Sequence, residues 1–394
     1  MQRSVIVSGA RTPIGKFGGA FKSFSASDLG AVAIKAALER SSISPEIVDE
    51  VIIGNVLQTA EAGYSPRLAA LKSGIPQEVP VIGINRQCAS GLDAINIASD
   101  AIRTGRAEVI VAGGIENMSL APYVIRNIRW SGIRMGEHQM SDSLVEGLSC
   151  PVNYYHMGIT AENIAAKYKV SRLNQDELAL LSHQRASQAL QQGLFASQIS
   201  PVTLEDENGE VFQVEQDEGP RADATMQQLA ELQPIFKENG TVTAGNASSI
   251  NDGAAAVVVM SKQKADQLGI ESQLEFISSA VVGVDPAYMG TGPIPAVHKT
   301  LERGGLSIND IDLFEINEAF AAQAIYCIDE LGLDLSKTNV NGSGISLGHP
   351  IGATGAIMTV KLMDMLFTRD LEHGIVTMCV GGGQGCATAF RRLR

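Results

Sequence analysis

Two cysteines, one histidine and one asparagine lie among small neighbours, and together they could catalyse the formation of a carbon–carbon bond. Cys88 precedes a predicted helix, whose dipole is expected to lower the pKa of the thiol. Cys379 precedes three glycines, whose amides could face a developing oxyanion. One thiolate could carry an acyl group while the other removes a proton next to a thioester. With His349 and Asn317 to stabilise the enolate oxygen, these residue types suit a Claisen condensation.

Each of these residues also has an ordinary structural interpretation. A free cysteine is often a small buried hydrophobe, and the glycines after Cys379 could form a hairpin turn. Asn317 could be a helix N-cap, and His349 could be a structural residue in its glycine-rich segment, 342–355. A phosphate-binding loop is another interpretation of that segment, although it lacks the Gly-Lys-Ser/Thr sequence of such loops.

Strand and helix patterns alternate near both ends of the chain and predict an α/β fold. Short apolar runs, typical of buried strands, are found at 4–8, 51–53, 109–112, 254–260 and 374–380, with a last strand to Phe390. Helical spacing is found at 27–40, with Ser27 as the expected N-cap, and at 67–72 and 89–103.

The middle of the chain, 119–248, is more polar and has few strand patterns, which predicts an inserted domain. Helical patterns cover 163–168 and 174–193, and a charged hairpin is expected at 202–216 around Asn208-Gly209. Long insertions with structure of their own usually carry a binding function.

The two flanks of this insertion resemble each other, which suggests an internal duplication. Segments 48–55 and 310–317 share an apolar pattern that ends on Asn. Cys88 and His349 follow these asparagines at nearly equal distances, and each precedes a helix. We expect the next strand of each half to end in Gly-Gly, at 113–114 and 381–382, with a site between the halves.

The composition excludes several classes of protein. The chain has 394 residues, 30 Lys and Arg against 43 Asp and Glu, and a net charge of −13, so nucleic acid is not an expected partner. Five cysteines without a CxxC pair favour neither a disulfide framework nor a metal site, and they favour the cytoplasm. No apolar run approaches the roughly 20 residues of a membrane span.

The sequence resembles the thiolases over its whole length, and within them the short-chain biosynthetic type. The motifs that carry this resemblance are Arg11-Thr12-Pro13-Ile14-Gly15, Gly54-Asn55-Val56-Leu57-Gln58, Cys88-Ala89-Ser90-Gly91, Gly113-Gly114-Ile115-Glu116-Asn117-Met118-Ser119, Tyr155-His156-Met157-Gly158, Ala244-Gly245-Asn246-Ala247-Ser248, Asn251-Asp252-Gly253-Ala254-Ala255, Asn317-Glu318-Ala319-Phe320, Gly348-His349-Pro350 and Cys379-Val380-Gly381-Gly382-Gly383.

The resemblance implies two similar halves stacked in five layers (αβαβα). The first half would comprise 1–118 and 249–270, the inserted loop domain 119–248, and the second half 271–394. It also implies a homotetramer built as a dimer of dimers. Acyl-CoA would be the substrate, with coenzyme A as substrate or product and no other cofactor and no metal.

The resemblance also implies a role for each site residue in the reversible condensation of two acetyl-CoA molecules. Cys88 would take the acyl group, and Cys379 would deprotonate the incoming acetyl-CoA. His349 would assist Cys88 and form one oxyanion hole with a water held by Asn317, and the amides of Cys88 and Gly381 would form the other. The residues expected to bind CoA and the acyl chain are Leu148, His156, Met157, Arg221, Phe236, Ala244, Ser248, Met289, Ala319 and Phe320.

Other activities stay open at this point. A degradative thiolase for longer 3-ketoacyl chains is the main alternative, and the pair His156-Met157 argues against it because it accompanies short substrates in the family. A decarboxylating ketoacyl synthase generally has His where Cys379 stands, and a CoA-binding scaffold would need no second thiol.

The chain also departs from the family pattern. Ala89 replaces the usual Gly after the nucleophile, and its methyl group is expected to crowd the acyl side of the site. The family's usual Gly-Gly-Ala-Ile-Ala before the histidine is here 342–346, Gly-Ser-Gly-Ile-Ser. The loop 61–66, in the region of subunit contacts, is also unusual.

Overall fold

A computed structural model describes residues 2–58, 63–132, 135–206 and 208–393. The unusual residues Glu61 and Ala62 lie outside this part. The strands are β1 (Ser4–Arg11), β2 (Gly15–Lys16), β3 (Glu50–Gly54), β4 (Val81–Ile84), β5 (Val109–Asn117), β6 (Tyr123–Val124), β7 (Ser141–Asp142), β8 (Val202–Glu205), β9 (Val211–Val214), β10 (Asn251–Ser261), β11 (Leu274–Gly283), β12 (Leu313–Ile316), β13 (His373–Val380) and β14 (Gln384–Arg392).

The α-helices lie between these strands, and short 3-10 turns occur at Pro45–Ile47, Pro286–Thr291 and Ile308–Asp310. They are α1 (Ala26–Arg40), α2 (Ser65–Lys72), α3 (Ser90–Arg103), α4 (Ile128–Ser131), α5 (Ser143–Gly147), α6 (Met157–Tyr168), α7 (Arg172–Gln191), α8 (Met226–Glu231), α9 (Lys262–Leu268), α10 (Pro293–Gly304), α11 (Ala321–Leu331), α12 (Gly344–Leu347) and α13 (Thr354–Thr368). Ser25, not Ser27, caps α1, because its hydroxyl accepts the Asp28 N–H in a capping box.

The large sheet has two halves with the same strand order and directions. The first half runs β4-β3-β5-β10-β1 and the second runs β12-β13-β14-β11. In each half two corresponding neighbours are parallel, β3 with β5 and β12 with β13, and β4 is also parallel to β3. The remaining neighbours along each half pair antiparallel. Thr338 forms a parallel bridge to Phe314, where β4 stands in the first half. The α/β prediction is confirmed, and the topology supports the duplication.

The strands β1 and β11 join the halves, with Val5 opposite Glu275 and Ile6 opposite Leu274. Helices α3 and α13 pack together in a central layer and share one buried core with residues of both half-sheets. Helices α1 and α2 cover the outer face of the first half, and α10 and α11 cover the second. These layers correspond to the predicted αβαβα arrangement.

The predicted match between the two Gly-Gly pairs is wrong. Gly54 is paired with Gly114, and its counterpart Ile316 is paired with Thr377, so Gly114 corresponds to Thr377 and not to Gly382. Nor do Gly113 and Gly114 end a strand, since β5 continues to Asn117. They allow close packing instead: a Cβ on Gly114 would lie 2.1 Å from the Gly352 carbonyl oxygen.

The chain between β5 and β10 adds no strand to the large sheet among the residues that are described there. It contains α4 to α8 and the predicted hairpin, β8 paired antiparallel with β9. A buried ion pair anchors this segment to β1, because Arg11 donates to both carboxylate oxygens of Asp217 at 2.7 and 2.9 Å. None of the described helices has the length and apolarity required to cross a membrane.

Candidate active site

The duplicated frame brings the four predicted chemical groups to one region. Cys88 lies just before α3 and His349 just before α13, so both stand at the N-terminal ends of the central helices. Cys379 is the penultimate residue of β13, and Asn317 directly follows β12. Residues distant in sequence thus meet because corresponding turns of the two halves face each other.

A cavity of about 420 Å³ opens over Cys88, His349 and Gly381. Cys379 and Asn317 lie behind its wall and are fully buried. All ten residues expected to contact the ligand line it, and so do further mainly apolar side chains. The predicted ones are Leu148, His156, Met157, Arg221, Phe236, Ala244, Ser248, Met289, Ala319 and Phe320, and the others include Gln87, Met118, Ile250 and Ile351.

The Cys88 thiol is less acidic than its place before a helix suggested. Burial raises its pKa to about 11, which outweighs the opposing hydrogen bonds from the backbone N–H groups of Gly381 and of Cys88 itself. The expected lowering of the pKa is therefore wrong for the free protein, because desolvation of the thiolate is the larger effect. The N–H of Gly381 nevertheless lies beside the sulfur, close to where the carbonyl oxygen of an acyl group on that sulfur would stand.

Cys379 lies close enough to Cys88 for each thiolate to disfavour the other. Burial raises the pKa of Cys379 well above its usual value, and the charge of Cys88 adds to this effect. Both thiols are thus protonated in the free protein at neutral pH. A base or a polarised substrate must assist their ionisation.

His349 is a neutral imidazole held in a defined tautomer. Its Nδ1 lies 2.7 Å from the Thr354 hydroxyl, which donates to the Pro350 carbonyl at 2.9 Å. Because the hydroxyl proton is used there, Nδ1–H donates to Thr354, and Nε2 is left as the basic nitrogen. Burial lowers the pKa of His349 to about 4. The ring can therefore accept a proton at neutral pH.

Asn317 is fixed by its backbone and keeps one polar atom unused. Its N–H donates to the Thr377 carbonyl at 3.0 Å, and its Nδ2 lies 3.3 Å from Nε2 of His349. Its buried Oδ1 has no hydrogen-bond partner, so a water or ligand with a free N–H or O–H would be stabilised there. The N-cap interpretation is wrong, since α11 begins at Ala321 and Phe320 occupies its cap position.

Aromatic and thioether side chains form the outer wall of the cavity. The ring of His156 stacks on Phe236 at 4.6 Å, and Phe320 meets Phe236 edge-on. Met157 reaches toward the Gly381 turn, where a Cβ on that glycine would lie 2.7 Å from its Cε. These contacts leave a narrow apolar channel next to the thiols.

A second cavity of about 460 Å³ shares Arg221, Ala244 and Ala247 with the first. Lys16 lines it together with the acidic residues Glu218 and Asp223, and His183 is uncharged there at neutral pH because burial lowers its pKa to about 4. His183 accepts the Arg221 N–H at 3.2 Å and thereby fixes the backbone of that residue. Together the two cavities suit a long ligand with an apolar end at Cys88 and a polar end near Arg221, which lines both cavities.

Sequence reasoning missed two groups that hold the site in place. Thr354 orients His349, and the small-residue segment around it contained the signal, since a hydroxyl is a suitable partner for an imidazole. Glu116 accepts hydrogen bonds behind Cys88, and its motif was noted without a role. Within the described part of the chain, no cluster of His, Cys, Asp and Glu has the form of a metal site.

Comparison with known proteins covers the whole chain. Residues 4–263 match the sequence model of the family described as "Thiolase, N-terminal domain", and residues 271–392 match "Thiolase, C-terminal domain". An acetyl-CoA acetyltransferase of Pseudomonas aeruginosa is 48% identical over 394 residues, with 100% of both chains covered.

Two solved structures have nearly the same backbone. The acetyl-CoA acetyltransferase of Bacillus anthracis superimposes with a TM-score of 0.97 at 45% identity, covering 100% of this chain and 99% of that one. Human mitochondrial 3-ketoacyl-CoA thiolase, in a complex with CoA, gives 0.95 at 41% identity, covering 100% and 98%.

Proposed function

The chain belongs to the thiolase family, and from this we propose that it is an acetyl-CoA C-acetyltransferase, which converts two acetyl-CoA to acetoacetyl-CoA and CoA. The protein is an acyltransferase with the thiolase fold. The single observation that carries the site assignment is the juxtaposition of Cys88, His349 and the Gly381 amide on one cavity, with Cys379 buried behind it. Acyl-CoA is the ligand class that its relatives' names indicate.

In the first half-reaction, Cys88 attacks the thioester carbonyl of acetyl-CoA. Nε2 of His349 takes the thiol proton, the sulfur–carbonyl bond forms, and the C–S bond to CoA breaks as the leaving thiolate receives a proton. The N–H groups of Cys88 and Gly381 stabilise the oxyanion. The neutral imidazole supports this role, because a protonated His349 could not accept the proton.

In the second half-reaction, Cys379 first passes its own proton to Nε2 of His349 and then, as a thiolate, removes a proton from the methyl group of a second acetyl-CoA. The resulting carbanion attacks the acyl carbon on Cys88, the new carbon–carbon bond forms, and Cys88 leaves as a thiolate. His349 and a water held by Asn317 stabilise the enolate oxygen. The unpartnered Oδ1 of Asn317 supports a bound water. Return of the proton from His349 to the Cys88 thiolate restores the free enzyme, with both thiols protonated and the imidazole neutral.

The lining of the cavity also supports separate binding roles for different residues, some for the CoA moiety and some for the acyl group. Arg221 and Ser248 would hold the CoA moiety, with Leu148, His156 and Phe236 on its sides, and Ala244, Ala319 and Phe320 would complete the channel. Met157 and Met289 narrow the acyl end, which favours a two-carbon acyl group over longer chains. Human mitochondrial 3-ketoacyl-CoA thiolase has nearly the same backbone, so the degradative activity is the second candidate to test.

The remaining features of the proposal concern organisation. Residues 1–118 with 249–270 and residues 271–394 would form the two halves, and 119–248 the loop domain for CoA and tetramer contacts. The protein would be a homotetramer in the cytoplasm. Its five unpaired cysteines support the cytoplasmic location, since free thiols persist in a reducing compartment.

CoA-dependent cleavage of acetoacetyl-CoA, measured beside a medium-chain 3-ketoacyl-CoA, tests the function. We expect fast loss of the four-carbon substrate and little loss of the longer one. Cys88→Ser should lower kcat at least a thousandfold, and Cys386→Ser, a buried thiol away from the cavity, is the matched control. Faster cleavage of the longer substrate would assign the protein to the degradative thiolases. Undiminished turnover by Cys88→Ser would reject the mechanism.

A further inference from the structure

Glu116 is a fully buried carboxylate on β5 that the proposed reaction leaves without a role. Each of its oxygens accepts two hydrogen bonds from nitrogen atoms. Oε1 accepts from Nδ2 of Asn55 at 3.0 Å and from the Leu57 N–H at 3.1 Å. Oε2 accepts from the N–H groups of Val56 at 3.1 Å and Gly352 at 2.9 Å. An ionised carboxylate can accept all four bonds, whereas a protonated one would turn its hydroxyl toward donors.

These four bonds connect two loops from different halves of the molecule. Asn55, Val56 and Leu57 form the turn after β3, and Gly352 lies three residues after His349. Gly352 fits so closely that an added Cβ would lie 2.7 Å from Oε2 of Glu116. Between Gly352 and His349 lies Ile351, which packs with Leu57 and Cys88 on the cavity side. Glu116 therefore braces the wall on which the nucleophile and the imidazole stand.

The internal duplication identifies the residue of the second half that corresponds to Glu116. Because Gly114 corresponds to Thr377 in the strand register, Glu116 corresponds to Cys379. Asn55 likewise corresponds to Asn317, since each directly follows the matching strand. At this position the second half has the thiol of Cys379. The first half has the carboxylate of Glu116, which accepts a hydrogen bond from Asn55.

Glu116 also acts on Cys88 through charge, because a negative charge on Glu116 raises the pKa of the Cys88 thiol. Burial raises the pKa of Glu116 itself to about 8, against the three backbone hydrogen bonds, and the charge of Asp252 on β10 adds to the increase. The titratable groups coupled to it by charge are Asp252 and Cys88, and His349 stands on the loop that it braces. The charge of Glu116 therefore changes within the pH range in which the enzyme can be assayed.

We propose that Glu116 is a positioning residue of this enzyme, whose carboxylate ties the Asn55–Leu57 turn to the His349 loop and places a charge behind the wall that carries Cys88. This inference rests on the proposed function for the role of Cys88, but its electrostatic part can be tested without substrate. Loss of the brace would lower kcat more than it would change KM, since Glu116 itself does not line the cavity.

The test is the rate of Cys88 alkylation by iodoacetamide in the whole protein, followed by mass spectrometry of the Cys88 peptide. At pH 9, where Glu116 is ionised and Cys88 is mostly a thiol, Glu116→Gln should react about three to ten times faster than the unaltered protein. At pH 6.5, where Glu116 is protonated, the ratio should fall to about one. Glu116→Asp keeps the charge and should retain the slow rate at pH 9.

A purely structural role would give a different result, because a loosened site would react faster at both pH values and in Glu116→Asp as well. That outcome, or equal rates in all variants, would overturn the proposal. Glu162→Gln is the matched control, since Glu162 is a buried carboxylate that also accepts backbone N–H bonds, from Thr241 and Val242. It should leave the Cys88 alkylation rate unchanged.

The positioning part has its own readout in acetoacetyl-CoA cleavage. Glu116→Gln and Glu116→Asp should each lower kcat about tenfold to a hundredfold with KM changed less than threefold. Asn55→Ala removes one hydrogen-bond donor to Glu116 and leaves the carboxylate charge in place. It should lower kcat without altering the rate of Cys88 alkylation at pH 9. This variant replaces the Glu116 variants in the test if they do not fold. An unchanged kcat in these variants would overturn the positioning role, whereas an inactive unaltered protein would overturn the proposed function alone.

Discussion

Three titratable groups, the half-buried Cys88 and the buried Cys379 and His349, share one property: desolvation disfavours the charged form of each. The resting site is therefore neutral at physiological pH, with two thiols and an uncharged imidazole. Charge develops only when substrate arrives and the oxyanion donors become engaged. A neutral resting site limits side reactions of the thiols, and its cost is a dependence on His349 as the proton acceptor.

The neutral state of His349 predicts how stability depends on pH. Its pKa is about 4 in the folded protein and about 6.5 in an unfolded chain. The unfolded state therefore binds a proton first, and stability present above about pH 6.5 is lost as the pH falls toward 4. This difference amounts to about 3 kcal/mol for one histidine.

Urea unfolding between pH 7 and 4 checks this expectation. The His349→Asn variant should lose about 3 kcal/mol less than the unaltered protein over this range, with His183, whose pKa is also lowered to about 4, accounting for part of the remaining loss. His298→Asn is the control, and it should follow the unaltered protein. Equal pH slopes for His349→Asn and the unaltered protein would contradict the neutral buried imidazole.

Met157 gives a second prediction at this scale. Its side chain fills space against the Gly381 turn, so Met157→Ala should widen the acyl end of the cavity. The ratio of rates on an eight-carbon and a four-carbon 3-ketoacyl-CoA should rise about tenfold. Met358→Ala, at a buried methionine in α13 that does not line the cavity, is the control. An unchanged ratio in Met157→Ala would mean that another residue limits chain length.

At the scale of elements, periodicity predicted most of the long strands and the helices before β10, but it missed β11, α10 and α11. Further errors concern glycine and tertiary contact. The run at 109–112 was expected to end at Gly113, yet the strand extends to Asn117 because these glycines meet neighbouring backbones. Nothing in a single sequence separates a glycine that ends a strand from one that admits a close neighbour. The lowered pKa expected for Cys88 failed for a related reason, since burial depends on the whole fold.

The close approach at Gly114 yields a prediction for the element that contains it. Gly114→Ala would place Cβ 2.1 Å from the Gly352 carbonyl oxygen and 2.8 Å from the Ala353 Cα, so the backbone before α13 must shift. The free energy of unfolding should fall by about 3 kcal/mol. Gly253→Ala on the neighbouring β10, where the nearest atom would be 3.4 Å away, should cost less than about 1 kcal/mol. Equal losses in denaturant titrations would contradict this packing.

At the scale of the whole molecule, the site requires both halves, as the resemblance between the flanks suggested. The motifs and their order sufficed to predict which residues meet, because each half repeats one supersecondary plan. The geometry of their support could not be predicted, since the bonds of Glu116 and Thr354 depend on how the two central helices pack.

The region 119–142 gives a prediction about assembly. It contains several exposed large apolar side chains among its described residues, including Tyr123, Trp130, Met135 and Met140. Such clusters mark contact surfaces, and a tetramer is proposed to bury them. Trp130→Ser combined with Met140→Ser should convert tetramers to dimers in light scattering. Phe17→Ser, at an exposed aromatic residue outside this region, should not. A tetramer that survives both substitutions would place the contact elsewhere.

The division of the site between two distant parts of the chain has a consequence during protein synthesis. Cys88 leaves the ribosome long before His349 and Cys379, which follow it by 261 and 291 residues. At about 5–20 residues per second, this interval is roughly 15 to 60 seconds. During that time the Cys88 thiol lacks the residues of the second half, whose packing around it later raises its pKa. Newly made chains should therefore be more open to thiol-modifying reagents than the finished enzyme.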